Sequence, residues 1–213
     1  EENSRDSLFD AMRRKEVFAT SGPRMSVRMF AGFEDFSAGE QGSGSWCDRP
    51  DAVQQGYDKG VPMGGEIKAV EGGEAAPYFA VSAQRDVGTL ARPGGQLQRL
   101  QMIKVTANDD GSFHQEVVDI GGGATGASVN TETCAPQGVG HDNLCTVWQD
   151  PEFNPAQSAA YYVRVIENPS CRWTTWSCNA LQESERPAFC SDSDESKVTQ
   201  ERAWSSPVWY TAP

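Results

Sequence analysis

Ala159-Ala160-Tyr161-Tyr162-Val163-Arg164-Val165-Ile166 is the most strand-like segment of the chain, rich in β-branched and aromatic side chains and free of glycine and proline. Its near-continuous apolar character predicts a central strand covered on both faces. Working outward, Tyr78–Gln84, Leu100–Thr106 and Phe113–Ile120 are further runs of the same kind. Between the last two stands Asn108-Asp109-Asp110-Gly111, and Asp-Gly supplies the positive φ values that a tight hairpin needs. Downstream, a cysteine-rich irregular stretch leads to Val208-Trp209-Tyr210, which reads as a closing edge strand. Short strands with turn signals between them, and no intervening helical periodicity, predict a mainly β protein. The expected architecture is an immunoglobulin-like antiparallel sandwich with one N-terminal helix and a disulfide-rich irregular C-terminal stretch.

That helix follows Asn3 or Ser4, either of which can cap it by accepting from an otherwise orphaned amide, with Asp6 at the positive end of the dipole. Leu8, Phe9, Ala11 and Met12 recur at helical spacing, and Arg13, Arg14 and Lys15 sit where cations are favoured. Its apolar stripe needs something to pack on. Glu16–Ser21 then reads as a short extended segment, Gly22-Pro23 as a turn, and Met25, Val27 and Met29 as one face of a strand. Residues 34–64 read as a long Gly-, Ser- and Asp-rich excursion pinned by Cys47, and Gly121–Asn130 as a flexible loop. The chain opens on a helix start, without methionine or an apolar leader, so upstream sequence is expected before it.

The net charge of −12 repels phosphate backbones and anionic lipid, which excludes nucleic acid as a partner, and no apolar run is long enough to insert in a bilayer. The six cysteines, Cys47, Cys134, Cys145, Cys171, Cys178 and Cys190, include no C-x-x-C pair, and His114 and His141 are too few to complete a Cys/His zinc site. Disulfides are the simpler reading and imply an oxidising, exported setting, periplasmic or extracellular. Cys134 and Cys145 enclose a short patternless loop, and a bridge there would contribute on the order of 3 kcal/mol. Proximity then suggests Cys178–Cys190 and leaves Cys47–Cys171, although spacing does not fix connectivity.

Five features invite a functional reading. Gly121-Gly122-Gly123-Ala124-Thr125-Gly126-Ala127-Ser128 has the outline of a phosphate-binding loop, but Ala127 stands where the lysine is required and no helix pattern follows, so a plain loop is preferred. Asp192, Asp194 and Glu195 offer hard oxygen ligands without the spacing or glycine of a calcium loop, and read as a solvated acidic loop. His141 beside Asp142 has the composition of half an acid–base pair, but a turn residue on an exposed loop is the commoner arrangement. Arg24 follows a rigid Gly22-Pro23 turn that fixes its direction, and a guanidinium there suits a carboxylate, sulfate or phosphate as well as it suits bulk solvent. Trp173, Trp176, Trp204 and Trp209, with Tyr210, form either a sugar-stacking platform or core, and core is preferred.

Several stretches taken together carry a resemblance. They are Ser7-Leu8-Phe9-Asp10-Ala11-Met12-Arg13-Arg14-Lys15-Glu16-Val17-Phe18-Ala19-Thr20-Ser21-Gly22-Pro23-Arg24, Gly60-Val61-Pro62-Met63-Gly64-Gly65, Leu100-Gln101-Met102-Ile103-Lys104, Asp150-Pro151-Glu152-Phe153-Asn154-Pro155-Ala156-Gln157, Tyr161–Pro169 and Gln200–Tyr210. The chain resembles the C-terminal part of a family of exported bacterial proteins of unknown function whose catalytic part is similar to the PHP (polymerase and histidinol phosphatase) metallohydrolases. The resemblance implies a longer parent protein with its metal-ligating His and Asp residues upstream, in a distorted β/α barrel. Residues 1–33 would then be the end of that incomplete barrel and residues 34–213 a β-sandwich region. It further implies no catalytic residue, metal or cofactor within this chain, a divalent metal and the upstream segment as partners, and a substrate-facing role for Arg24. Two functions follow as expectations. In one, this is the non-catalytic C-terminal region of a metal-dependent ester hydrolase, inactive alone, closing the barrel and shaping its pocket. In the other it is a stand-alone extracellular module that binds glycan or protein through an exposed aromatic row.

Overall fold

The computed structural model describes residues 2–37, 46–68, 75–90, 92–108, 110–192 and 196–213. In chain order it contains helix α1 (Arg5–Arg13), strands β1 (Phe18–Thr20) and β2 (Ser26–Gly32), a 3-10 turn at Trp46–Asp48, helix α2 (Ala52–Lys59), and strands β3 (Val61–Pro62) and β4 (Glu66–Lys68). Strands β5 (Tyr78–Gln84), β6 (Leu97–Ala107), β7 (Phe113–Gly122), β8 (Ser128–Val129), β9 (Pro136–Gln137), β10 (Asn143–Gln149), β11 (Ala159–Glu167) and β12 (Ser170–Cys171) follow. Helix α3 (Trp173–Asn179), two further 3-10 turns, and β13 (Val198–Thr199), β14 (Arg202–Ser205) and β15 (Val208–Thr211) complete it.

β11 is the organising strand. One of its edges carries β6, and β7 beyond it; the other is shared by β14 beside its C-terminal half and β15 beside its N-terminal half, with β1 outside β14 and β4 outside β15. These seven strands form one sheet, and β10-β5-β2-β3 form a second of four. The β6–β7 pair is the hairpin expected from the Asp-Gly signal: Gly111 has φ +81° and its N–H donates to Asn108 O at 3.0 Å, with Asp109 lying outside the described residues.

The sheets pack face to face because strand periodicity places every second side chain inward. Leu100, Met102, Tyr161, Val163, Val165, Ala203, Val208 and Tyr210 of the larger sheet meet Val27, Met29, Ala31, Phe79, Val81, Ala83 and Leu144 of the smaller one in a single buried cluster. The Phe79 and Tyr161 rings lie 4.6 Å apart across it. One polar network is buried with them. Lys104 Nζ sits 2.9 Å from Asp150 Oδ2, which also accepts from Tyr161 Oη at 2.7 Å, while Lys104 donates to Glu152 O at 2.8 Å. Burial, reinforced by the Asp150 carboxylate, drives the Tyr161 phenol well above its usual range, and this charge pair fastens the loop after β10 to the core.

The mainly β antiparallel fold is the expected one, with several particulars corrected. β11 is not covered on both faces: its residues alternate between buried and half-buried. β15 is no edge, because β4 pairs with it in parallel beyond β11. Two helices besides α1 are present among the described residues. The start of the chain is also paired: β1 with β14, and β2 between β5 and β3 in the smaller sheet. The glycine-rich run after β7 is tied down too, with β8 and β9 paired and Thr125 donating to Asn168 Oδ1 at 2.7 Å.

The disulfides are Cys47–Cys145, Cys134–Cys171 and Cys178–Cys190. Of the expected pairings only Cys178–Cys190 is present. Cys134–Cys145 and Cys47–Cys171 fail for a geometric reason: alternation along β10 turns Leu144 into the sandwich and Cys145 outward, onto the second cluster of Phe30, Phe36, Trp46 and Ala80 where Cys47 lies. Cys134 sits beyond the β8–β9 pair, beside β12.

Candidate functional site

Besides a polar hollow of about 450 Å³ beside the Cys178–Cys190 bridge, two concave regions bear on function. The first lies on the outer face of the seven-stranded sheet. Side chains directly opposite one another share a face, so the pairs Ala160↔Trp209, Ala160↔Val105, Tyr162↔Ile103, Ile103↔Val117 and Ala107↔Phe113 define an apolar part of the outer surface, beside a polar part where Arg164 donates to Gln101 and Gln101 to Asp119. Phe113 is 74% exposed and Trp209 48%. Val105, Tyr162, Phe113 and Trp209 line a groove of about 780 Å³ with Lys15 on its rim. Lys15 stands two residues beyond α1, whose Leu8, Phe9 and Met12 are all exposed and which buries no residue. The helix forms for local reasons, with the Ser4 side chain accepting from Ser7 N at 3.3 Å. Its apolar stripe has no counterpart within the described chain.

The second is a cavity of about 400 Å³ at the end of the sandwich, where β2 begins, β5 and β11 end and the β8–β9 hairpin closes over. Its walls are mostly apolar: Pro23, Pro93, Pro136, Val129, Trp176 and the Cys134–Cys171 bridge. Its polar floor is Glu167. The inward positions of β11 run Ala159, Tyr161, Val163, Val165 and then Glu167, so strand alternation carries a carboxylate into the line of the core. Glu167 is 2% exposed, and its Oε1 is sealed from solvent without a hydrogen-bond partner. Burial pushes its carboxyl up to about 7, the Glu201 and Asp86 carboxylates add to this, and Arg85 works against it. Gly95 makes room for it, since a Cβ there would stand 2.6 Å from Glu167 Oε2.

The surrounding charges are mostly engaged. Arg85 Nε lies 2.7 Å from Asp142 Oδ1, off the axis of its own N–H, so the contact is an ion pair rather than a hydrogen bond; its Nη1 donates to Gly94 O at 3.2 Å. Arg92 stands 5.5 Å from the centre of the Trp176 ring. Asp86 accepts from the backbone N–H groups of Arg24 and Gly88, each at 2.7 Å, and these bonds hold its carboxyl below the usual range. Glu201 accepts from Ser21 Oγ.

The residues singled out in the sequence fall around these regions unevenly. Arg24 is exposed on the segment leading into β2, next to Pro23 of the cavity wall and anchored through its backbone to Asp86. His141 and Asp142 are exposed; Asp142 pairs with Arg85, and His141 bridges to Leu97 by two backbone hydrogen bonds of 2.9 Å. Asp192 is exposed, and Asp194 and Glu195 lie outside the described residues. Among the described residues no group of three or more His, Cys, Asp or Glu side chains is arranged to hold a metal ion. The tryptophan expectation is corrected: Tyr210 is core, but Trp173, Trp176 and Trp209 are exposed, and the fully buried tryptophan is Trp46. Glu167 carried a signal that sequence reading passed over, namely a strand whose buried face ends on an acid.

An antiparallel sandwich with three disulfides, one bare apolar face and one acid-floored cavity is thus the class of molecule in view. The chain belongs to the family described as "Protein of unknown function (DUF3604)", whose pattern matches residues 1–212. No curated protein and no solved structure matches it. Among the described residues no helix is long and apolar enough to cross a membrane.

Proposed function

We propose that this chain is a non-catalytic region of an exported, metal-dependent hydrolase of the kind its resemblance to the PHP metallohydrolases implies. It packs against an upstream catalytic unit and shapes the pocket there. The observation that carries the reading is a pair of apolar surfaces, the stripe of α1 and the groove of Trp209, Tyr162 and Phe113, both left open among the described residues. An antiparallel sheet ordinarily turns a polar face to solvent when that face is free. In this arrangement the divalent metal belongs to the upstream unit, where it would activate water and polarise an ester such as a phosphate or sulfate. Arg24 is the residue of this chain that faces substrate, its turn fixed by Pro23 and by the backbone bond to Asp86. Three disulfides suit an exported location.

A second reading, a stand-alone module for glycan or protein, draws on the exposure of Trp173 and Trp209. One experiment separates the two. The upstream polypeptide and this chain, expressed separately and mixed, are expected to co-elute as one complex that hydrolyses a model phosphate or sulfate ester with added divalent metal. Trp209→Glu combined with Phe9→Glu is expected to abolish co-elution while the chain stays folded by circular dichroism. Co-elution unaffected by the double variant, or no complex with the unaltered chain, sinks the docking reading.

A further inference from the structure

We propose that the cavity floored by Glu167 is a binding site for a small organic cation, an ammonium group on a compact apolar stem, with the ammonium donating to Glu167 and the stem lying against Trp176 and the proline walls. The inference is independent of the docking surface, which lies on the outer face of the sheet.

The argument starts from an unpaid electrostatic cost. A carboxyl taken out of water either keeps its proton or needs a compensating positive charge, and no hydrogen bond within the described chain reaches either side-chain oxygen of Glu167. Its neighbours do not supply the missing charge. Arg85 is held by Asp142 and Gly94, Arg92 lies over Trp176, and the Arg24 charge has Asp86 beside it. Glu201, also in the wall, adds a second acid. The space is therefore short of positive charge, as is the chain at large with its net −12.

Shape narrows the class of cation. Oε1 is sealed, which leaves Oε2, beside the bare Cα of Gly95, as the oxygen a ligand can reach. A guanidinium binds best with two parallel bonds to both oxygens of a carboxylate, which this geometry denies; an ammonium is a point donor satisfied by one. The walls of proline, valine, tryptophan and disulfide reward an apolar stem. A volume of about 400 Å³ accommodates an arylalkyl group.

The probe is phenethylammonium chloride, titrated at pH 8 into the isotopically labelled chain, with 2-phenylethanol as the neutral isostere. Saturable shifts are expected at the Gly95, Gln96 and Asn168 amides and the Trp176 indole N–H, with the alcohol binding at least about tenfold more weakly. Glu167→Gln is expected to weaken the ammonium by about tenfold or more while leaving the alcohol unchanged. Equal binding of the two probes, shifts confined to the Trp209 groove, or undiminished ammonium binding by a folded Glu167→Gln chain each overturns the proposal. Should Glu167→Gln not fold, the ammonium-to-alcohol ratio on the unaltered chain decides alone.

Discussion

The two sheets of the sandwich treat their outer faces in opposite ways. Behind the four-stranded sheet, Phe30 and Ala80 are completely covered by Phe36, Trp46 and the residues around α2. The Phe30 ring meets Trp46 edge-on at 6.3 Å and Tyr57 at 5.0 Å, and Trp46 Nε1 donates to Ala52 O at 2.7 Å. The Cys47–Cys145 bridge fastens this cover to β10. Behind the seven-stranded sheet, Phe113, Val117 and Trp209 are equally apolar in character, and no described element lies over them. Among the described residues the chain thus covers one face with its own excursion and leaves part of the other open. An exposed apolar patch of this kind is what the proposed docking to another body requires.

If that contrast is right, its largest consequence is on the covered side. Replacing Cys47 and Cys145 together by alanine frees a cover anchored 98 residues away in sequence. A loss of about 4 kcal/mol is expected in urea unfolding of the folded variant, and a loss near zero would mean the cover holds without its staple.

An intermediate effect is expected at Glu167, the acid at the end of the buried face of β11. Its folded value of about 7 stands above its ordinary 4.5, so between those pH values the folded state keeps a proton that the unfolded chain has released. Stability from this group is therefore full below about pH 4.5 and is lost as pH rises through about 7. Glu167→Gln, which does not titrate, is expected to match the unaltered chain at pH 5 and to exceed it at pH 8, by an amount on the order of 3 kcal/mol at most. A difference between the two chains that stays constant with pH would mean that Glu167 is solvated.

The smallest effect belongs to the bare face. Phe113→Ser is expected to change the stability of the chain alone by no more than about 0.5 kcal/mol, because the ring is already in water. A loss of several kcal/mol by thermal denaturation would show that the face is covered after all, and the comparison would fail.

What could be read in advance follows from how local each signal is. α1 was legible because a cap, a dipole charge and a four-residue spacing all lie within ten residues or so of one another. α2 was not: Gly56 interrupts its pattern and reads as a loop residue, yet a Cβ at that position would fall on the Phe30 ring, so the glycine is there for a contact with a distant strand. The same holds for the tryptophans. Composition marks Trp46, Trp173, Trp176 and Trp209 alike, and only tertiary packing decides that Trp46 of the 3-10 turn is core while Trp173 and Trp176 of α3 and Trp209 of β15 are exposed.

The sequence by itself determined the β character of the chain, the main strands and the β6–β7 hairpin, since alternation and turn chemistry act between near neighbours. It also determined that the cysteines would pair, from their number. Tertiary structure alone decided which cysteines meet, which outer face is covered and that Glu167 floors a cavity. The outer face, the Cys145 sulfur and the Glu167 carboxyl each depend on which face of a strand a residue occupies once strands far apart in the chain are in register, and a shift of one residue would turn them the other way.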